Sequence, residues 1–401
     1  MTGATTEFEP DVVELLVAAL RHAERRELAV VGTDTLLAEL VMGDTDAGAS
    51  IAPGMRKAGS LSGLVSGRSG CGWVSGDEAP GTPDGPGAAA EAQDADVCEV
   101  DAAWREARWR TATASDGSAA DSGSARIEMS AALRACLLLA LGSARAEGTI
   151  SVRCRHVARA LLDLPDTRAR EALLLRRLDV ASASSALDRL DAGAAAETEG
   201  PESRGVTLLR RAGLLGRSGN RLTRALTSWT SGSAVNGSPV LFAVSVEAMR
   251  QAARCGRAVV EPVDLLLGTL ALDRALSVAG RSLPGTLEHA NSAPDLLRRH
   301  GVRQTALVRG ASAELSPDAP LSSRVRRSAA AERAMAAAQL SAAEHGSPTV
   351  GTVHLLSALL DEPATGAGAG VGAGAVLAQL PAADQVDVAG LRAELDLRLG
   401  A

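Results

Sequence analysis

The strongest constraint on the fold is a pattern that occurs near both ends of the 401-residue chain. Residues 31–40 read Val-Gly-Thr-Asp-Thr-Leu-Leu-Ala-Glu-Leu, and residues 350–360 read Val-Gly-Thr-Val-His-Leu-Leu-Ser-Ala-Leu-Leu. An Ala-rich segment with apolar residues at three- and four-residue spacing precedes each of them. The pattern predicts a repeated pair of helices joined by a short turn.

Two further segments have the same arrangement with different residues. Residues 260–270 carry Pro262 where the end copies carry Thr33 and Thr352, and residues 152–162 keep the register with less of the motif. Threonine is a common N-cap and proline favours the first helical turn, so each of these residues marks a helix start. We therefore predict four copies of the helix pair, with Thr33 and Thr352 as N-caps.

The composition favours helices throughout the chain. It has no Tyr, two Phe and four Trp, so we expect the cores to be filled by Leu, Val and Ala. Ala and Leu are strong helix formers, and runs of β-branched residues are few. These features predict an all-α protein in which small aliphatic side chains let the helices pack closely.

Charge excludes several functions. Lys57 is the only lysine, and its context Met-Arg-Lys-Ala-Gly lacks the Gly-Lys-Ser/Thr of a phosphate-binding loop. Schiff-base chemistry through lysine is disfavoured for the same reason. A net charge of −7 argues against a general nucleic-acid binder, which needs an excess of basic charge.

The remaining composition points to an intracellular protein. The five cysteines form no Cys-x-x-Cys pair, so neither a zinc site nor a disulfide framework is indicated. The first residues lack the apolar region of a signal peptide, and no apolar run reaches about 18 residues. We expect a cytoplasmic protein with no membrane span, no metal and no cofactor.

With these repeats, the sequence resembles the Clp amino-terminal (Clp repeat) domain, the substrate- and adaptor-binding module at the front of Clp unfoldases. The resemblance covers about half of the chain. It implies that two repeats fold together as one pseudo-symmetric helical domain, so four copies imply two domains. The ATPase modules of the family have no counterpart here, and the resemblance implies a free-standing relative.

The resemblance also indicates where a ligand would bind. In some members an acidic residue after Gly-Thr helps to bind phosphorylated arginine, and a histidine follows it. Only the first copy keeps the carboxylate, as Asp34, whereas Arg155, Val263 and Val353 occupy the other three positions. The histidine position holds His156 and His354 in the second and fourth copies.

Composition breaks set the domain boundaries that we predict. Each pair of repeats is expected to pack together, the second with the first and the fourth with the third. The boundaries are 5–58 for the first repeat, 59–125 for a low-complexity linker, 126–192 for the second repeat, 193–238 for a connecting segment, 239–310 for the third repeat, 311–320 for a linker and 321–400 for the fourth repeat.

Four residues are candidates for ligand or peptide binding: Thr33, Asp34, Thr352 and His354. Each also has a structural interpretation, because threonine caps helices, a carboxylate suits the first helical turn, and histidines often pack on helix surfaces. The six histidines are scattered, with no His-Glu-x-x-His pair, and no nucleophile elbow is placed between a strand and a helix. We identify no catalytic residue.

The function predicted first is a non-catalytic protein- or peptide-binding module. It would act as an adaptor, as a substrate-binding protein or by sequestering ligands in Clp-dependent proteolysis, with Clp unfoldase or protease components, adaptors or substrate peptides as partners. One alternative is a regulatory nucleic-acid-binding protein with a helix-turn-helix-like pair in residues 206–230, where leucines are interspersed with arginines. An enzyme of unrecognised class is the other alternative.

Overall fold

A computed structural model gives the fold of the chain. It describes residues 5–54, 59–68, 72–78, 90–114, 127–194, 200–215, 238–312, 325–362, 377 and 386–400. The prediction of an all-α protein is confirmed, because the described elements are helices joined by turns and by strands of two residues. Within these ranges, no helix is long and apolar enough to cross a membrane.

The chain divides into two compact units. The amino-terminal unit comprises residues 6–198, and the carboxy-terminal unit comprises residues 199–401 together with 1–5. The helices of the amino-terminal unit are α1 (Pro10–Arg25), α2 (Thr33–Met42), α3 (Asp46–Ile51), α4 (Ser60–Gly67), α5 (Ala90–Ala114), α6 (Ala131–Ala146), α7 (Cys154–Asp163), α8 (Arg168–Leu175) and α9 (Val180–Ala194).

The carboxy-terminal unit is also helical. Its helices are α10 (Arg204–Arg211), α11 (Pro239–Arg254), α12 (Pro262–Val278), α13 (Gly285–Glu288), a 3-10 helix (His289–Asn291), α14 (Ala293–Arg299), α15 (Gln304–Ser312), α16 (Ala329–Glu344), α17 (Thr352–Asp361) and α18 (Val388–Leu399). Helices α11 and α12 approach each other closely at Gly268, where a Cβ would lie 2.6 Å from the carbonyl oxygen of Val244.

Short parallel strands join the helix pairs within each unit. In the amino-terminal unit, β1 (Glu7–Phe8) pairs with β4 (Ser151–Val152), and β2 (Val30–Val31) pairs with β3 (Glu128–Met129). Strand β1 precedes the first helix of one pair, α1, and β4 precedes the second helix of the other pair, α7. Likewise β3 precedes the first helix α6, and β2 precedes the second helix α2. In the carboxy-terminal unit, β5 (Val259–Val260) and β6 (Arg326–Arg327) are paired in the same way.

Four helix pairs share one register: α1 with α2, α6 with α7, α11 with α12, and α16 with α17. The first helix of every pair has 16 residues. A residue with positive φ follows it, and the second helix begins six residues after that residue. The residues with positive φ are Glu27, Gly148, Gly256 and Gly346.

The turns after the first helices are also alike. The residue after each positive-φ position donates its N–H to the carbonyl of an alanine five residues earlier, which closes a Schellman turn. The four buried alanines are Ala23, Ala144, Ala252 and Ala342. Local sequence therefore gives all four pairs the same exit from the first helix.

The cores are built from small aliphatic side chains. The Leu pairs near the start of the second helices are buried, at Leu36 and Leu37 in α2, Leu265 and Leu266 in α12, and Leu355 and Leu356 in α17. Phe8 is fully buried in the core of the amino-terminal unit, whereas Phe242 is half exposed on α11.

The structure corrects the prediction that residues 59–125 form a low-complexity linker. Helices α4 and α5 lie within it, and α5 packs against the first helices of both neighbouring pairs, α1 and α6. Val100, Ala103, Trp104 and Ala107 of α5 are buried in the core. The segment folds because Ala has high helix propensity and because this one apolar face is covered by the two helices.

The other predicted connections differ less from the structure. Within the segment 193–238, α10 forms and buries Val206 and Leu209 against the core of the carboxy-terminal unit. Within the linker 311–320, residues 311–312 end helix α15 and residues 313–320 lie outside the described residues. Most of the helix-turn-helix-like segment, from residue 216 to residue 230, is also outside them.

Candidate functional site

The first predicted site residues lie at the start of α2. Thr33 and Asp34 are its first two residues, and Gly32 is the N-cap without a side-chain hydrogen bond. The prediction that Thr33 caps this helix is therefore wrong. The Thr33 hydroxyl bonds elsewhere: its oxygen accepts the N–H of Ala169 at 3.1 Å and the hydroxyl donates to Asp77 at 2.5 Å.

Asp77 is the centre of this region, and we call it and its partners the Asp77 site. Its carboxylate accepts the N–H of Thr33 at 2.9 Å, the hydroxyl of Ser130 at 2.6 Å and the N–H of Arg168 at 3.2 Å. Its carbonyl oxygen accepts the N–H of Ala132 at 3.1 Å. The Asp77 side chain thus meets the starts of α2, α6 and α8.

A helix N-terminus carries unpaired N–H groups and a partial positive charge. Three such ends converging on one position form an anion-binding arrangement, which the chain itself fills with the carboxylate of Asp77. Asp77 is almost fully buried and has a φ of 59°, a left-handed conformation that its bonds to the three helices hold in place.

Asp34 lies beside this arrangement and is less well paired. It is buried, and its Oδ1 atom has no hydrogen-bond partner among the described residues. Burial raises the pKa of its carboxyl, the negative charge of Asp77 raises that pKa further, and the guanidinium of Arg168 lowers it. Oδ1 also lies over the Gly32 Cα, where a Cβ would collide with it.

Thr352 and His354 lie at the start of α17 in the carboxy-terminal unit. Gly351 is the N-cap, so the prediction that Thr352 caps this helix is also wrong. The Thr352 N–H donates to the side-chain oxygen of Asn291 at 3.1 Å, while its buried hydroxyl has no partner among the residues that the structure describes. A Cβ on the N-cap residue would strike the backbone of Ala290 at Gly351, and it would meet the end of the Asp34 side chain at Gly32.

His354 serves the same helix start. Its Nδ1 accepts the N–H of Gly351 at 3.0 Å, and burial lowers the pKa of its imidazole. The equivalent side chain does the same in two other pairs, where His156 accepts the N–H of Arg153 and Asp264 accepts that of Glu261, both at 2.9 Å. The side chain at this position thus makes one of the two bonds of a capping box, the one that accepts the N–H of the N-cap residue.

The four predicted residues fall into two groups. Thr33 and Asp34 share the Asp77 site, whereas Thr352 and His354 belong to the carboxy-terminal unit. Sequence reasoning missed Asp77, Ser130, Arg168 and Asn291. Asp77 stands in a Ser-Gly-Asp-Glu stretch with no periodicity, and the one signal nearby is Trp73, an aromatic residue within a polar segment that stacks beneath the guanidinium of Arg68.

An exposed apolar surface adjoins the Asp77 site. The side chain of Glu171 on α8 accepts the N–H groups of Val74 at 2.9 Å and Ser75 at 3.2 Å. Leu174 and Leu175, three and four residues further along α8, lie on the same side of that helix as Glu171. Val74 is 95% exposed, Leu174 62% and Leu175 45%.

The described residues hold no group of three or more His, Cys, Asp or Glu side chains that could bind a metal ion. No protein-family model, curated protein or solved structure matches the chain.

Proposed function

We propose that the chain is a non-catalytic protein- or peptide-binding module related to the amino-terminal domain of Clp unfoldases. The observation that carries the proposal is the register that the four helix pairs share. A helix of 16 residues, a left-handed residue and a second helix six residues later recur in each pair. This is the repeat geometry that the resemblance implies, two copies to a domain.

The reciprocal strand pairing supports the same relationship. In the amino-terminal unit, each helix pair contributes one strand to β1–β4 and one to β2–β3. Two repeats related by an approximate twofold axis pair in this way. The polar residues at the starts of the second helices act as caps and as hydrogen-bond partners, which suits a binding scaffold.

The surface that we assign to binding consists of Val74, Leu174 and Leu175. Extended peptides with apolar side chains bind by burying such groups, with a polar rim for orientation. Glu171 and Arg68 supply that rim. Partners of this chemistry are the exposed apolar segments of unfolded substrates and of adaptors, and Clp unfoldase or protease components would receive them.

The same proposal includes a cytoplasmic location and no cofactor. Among the described residues, Cys98, Cys136, Cys154 and Cys255 form no disulfide, and a reducing compartment keeps thiols in that state. A nucleic-acid-binding role and an unrecognised enzymatic activity stay as alternatives. In the part of residues 206–230 that the structure describes, Val206 and Leu209 are buried, which leaves the arginines of α10 on its outer side.

The decisive experiment measures binding of the full chain to a permanently unfolded protein, such as reduced and carboxymethylated lactalbumin, and to purified Clp unfoldase and protease, by fluorescence anisotropy. We expect saturable binding that the double substitution Leu174→Ser with Leu175→Ser weakens about tenfold, or about 1.4 kcal/mol. Leu340→Ser is the matched control, since Leu340 is 66% exposed on α16.

Three results would contradict the proposal. The first is that the chain binds none of these proteins, and the second is that Leu340→Ser weakens binding as much as the double variant does. The third is salt-sensitive retention of the chain on DNA. The last result would support the helix-turn-helix alternative.

A further inference from the structure

A second site lies away from the Asp77 site, at the opposite ends of α1 and α2. It is a cleft of about 310 Å³ between the last turns of these helices and α4. Its lining comprises His22, Arg25, Arg26, Glu39, Met42, Ser62 and Ser66. The cleft plays no part in the proposed function.

His22 is the buried polar group of this cleft. Its side chain is only 6% exposed, and its Nδ1 lies 2.8 Å from Oε1 of Glu39. A carboxylate only accepts hydrogen bonds, so Nδ1 carries a proton. The other ring nitrogen, Nε2, is buried and has no hydrogen-bond partner among the described residues. A buried polar atom without a partner is costly unless a ligand completes it.

The other groups around the cleft are mostly donors. Arg25 is the last residue of α1 and Arg26 is its C-cap. Both are exposed, and each guanidinium offers a fork of N–H groups. Ser62 and Ser66 stand four residues apart on α4, so their hydroxyls face the same way. Glu39 is the one carboxylate in the lining, and it is already bonded to His22.

We propose that this cleft binds a small phosphate-bearing ligand through His22, Arg25 and Arg26. With the ring proton on Nδ1 bonded to Glu39, the Nε2 atom of His22 accepts a hydrogen bond from a protonated phosphate oxygen, and the two guanidiniums close over the remaining phosphate oxygens. The serine hydroxyls add neutral donors. The C-terminal ends of α1 and α2 carry partial negative charge, so side chains and not helix dipoles hold the anion.

The size of the cleft suits a small ligand. Small-molecule sites occupy roughly 300–1,000 Å³, and this cleft lies at the lower end of that range, which fits a compact phosphate or phosphomonoester. Arg25 and Arg26 are exposed, and their side chains can turn away to admit the ligand to the buried Nε2 atom. Arginine suits this part because its planar fork matches phosphate oxygens in pairs.

The test is calorimetric titration of the full chain with inorganic phosphate at constant ionic strength, with acetate as a second titrant. We expect saturable phosphate binding, at least tenfold weaker binding of acetate, and loss of at least tenfold in phosphate affinity for the double variant Arg25→Gln with Arg26→Gln. Arg21→Gln is the matched control, because Arg21 is exposed on α1 and does not line the cleft; it should change affinity less than twofold.

A second measurement follows His22 directly. The ring carbon and proton resonances of His22, assigned by their absence in His22→Gln, should shift on addition of phosphate, whereas those of exposed His345 should stay in place. The inference is wrong if phosphate does not saturate, if acetate binds equally well, or if Arg21→Gln weakens binding as much as the double variant. It is also wrong if the His22 resonances do not move.

Discussion

The carboxylate of Asp77 bonds to Thr33 twice, accepting the backbone N–H at 2.9 Å and the hydroxyl at 2.5 Å. The two residues are 44 positions apart, and the same carboxylate also reaches Ser130 and Arg168, which are 53 and 91 positions away. One side chain thus links the starts of α2, α6 and α8. The stability of the amino-terminal unit should therefore depend on it.

Replacing Asp77 by Ala should lower the free energy of unfolding of the amino-terminal unit by at least about 3 kcal/mol. The change leaves several buried N–H and hydroxyl groups without an acceptor, and each such group costs about 1–3 kcal/mol. Urea unfolding followed by tryptophan fluorescence measures the loss. A Trp229→Phe background confines the signal to Trp73, Trp104 and Trp109, all in the amino-terminal unit.

Asp179→Ala is the control for this prediction. Asp179 is also an aspartate before a helix, accepting N–H groups of Ala181 and Ser182 at 3.1 and 3.3 Å, but it is exposed. Removing this exposed carboxylate should cost clearly less than removing Asp77, because water can bond to the N–H groups that it leaves. Equal losses for the two variants would mean that Asp77 is an ordinary cap and does not link three helices.

The helix pairs were predictable from sequence and the Asp77 site was not, for a physical reason. Ala-rich helices, their exits at Gly148, Gly256 and Gly346, and the Leu pairs that follow are set by residues close together in the chain. The role of Asp77 depends on partners far along the chain, and its own neighbours read as a polar linker. The N-caps were misassigned because threonine is the commoner cap, whereas the backbone of Ala290 leaves no room for a Cβ at Gly351 and the Asp34 side chain lies against Gly32.

Asp34→Asn should raise stability at neutral pH. Burial, and then the charge of Asp77, raise the pKa of Asp34 above its unfolded value, so the folded state binds a proton more tightly. The ionised carboxylate therefore destabilises the fold above the folded-state pKa, and this penalty disappears as the pH falls toward the unfolded value. The gain of the variant should be present at pH 7 and shrink toward pH 4 in urea unfolding.

Asp46→Asn provides the comparison for Asp34. Asp46 is also in a first helical turn, in α3, but it is exposed. Its charge interacts favourably with the helix dipole, so its removal should cost about 0.3–1 kcal/mol. The two substitutions are thus expected to have opposite signs. A loss of stability for Asp34→Asn at pH 7 would contradict the burial argument.

Glu27→Gly should stabilise the amino-terminal unit by about 0.5–1 kcal/mol. Glu27 has a φ of 53° at the position where the other three pairs carry glycine, and a side chain disfavours this conformation. Glu24→Gly is the control: Glu24 is exposed within α1, and glycine there should cost about 1 kcal/mol. Thermal unfolding distinguishes the two, and equal destabilisation would rule out strain at Glu27.

Acidification should weaken the start of α17 through His354. Burial lowers the pKa of this imidazole, so its contribution is fully present above the ordinary value of about 6.5 and is lost as the pH falls through the folded-state pKa. Protonation of Nδ1 removes the acceptor for the Gly351 N–H. His354→Asn keeps an acceptor that does not titrate, so stability should fall less between pH 7.5 and 5.

The measurement is urea unfolding followed by circular dichroism at each pH. His289→Asn serves as the control, because His289 is not buried and caps no helix through its ring. That variant should keep the pH dependence of the unchanged chain. If the pH dependence of stability were lost in His289→Asn and kept in His354→Asn, the prediction for His354 would be wrong.

The two glycine N-caps should differ in their tolerance of a methyl group. A Cβ on Gly351 would lie 2.6 Å from the carbonyl carbon of Ala290, and this backbone cannot move without shifting the 3-10 helix that carries Asn291. A Cβ on Gly32 would instead meet the end of the Asp34 side chain, which can rotate away. Gly351→Ala should therefore cost more than Gly32→Ala, by about 1–3 kcal/mol, as overpacking does. Urea unfolding of both variants tests this order. A greater loss of stability for Gly32→Ala would contradict the prediction. It would show that the Asp34 side chain is held as firmly as the backbone of Ala290, so that its unpartnered Oδ1 atom could not move to meet a ligand.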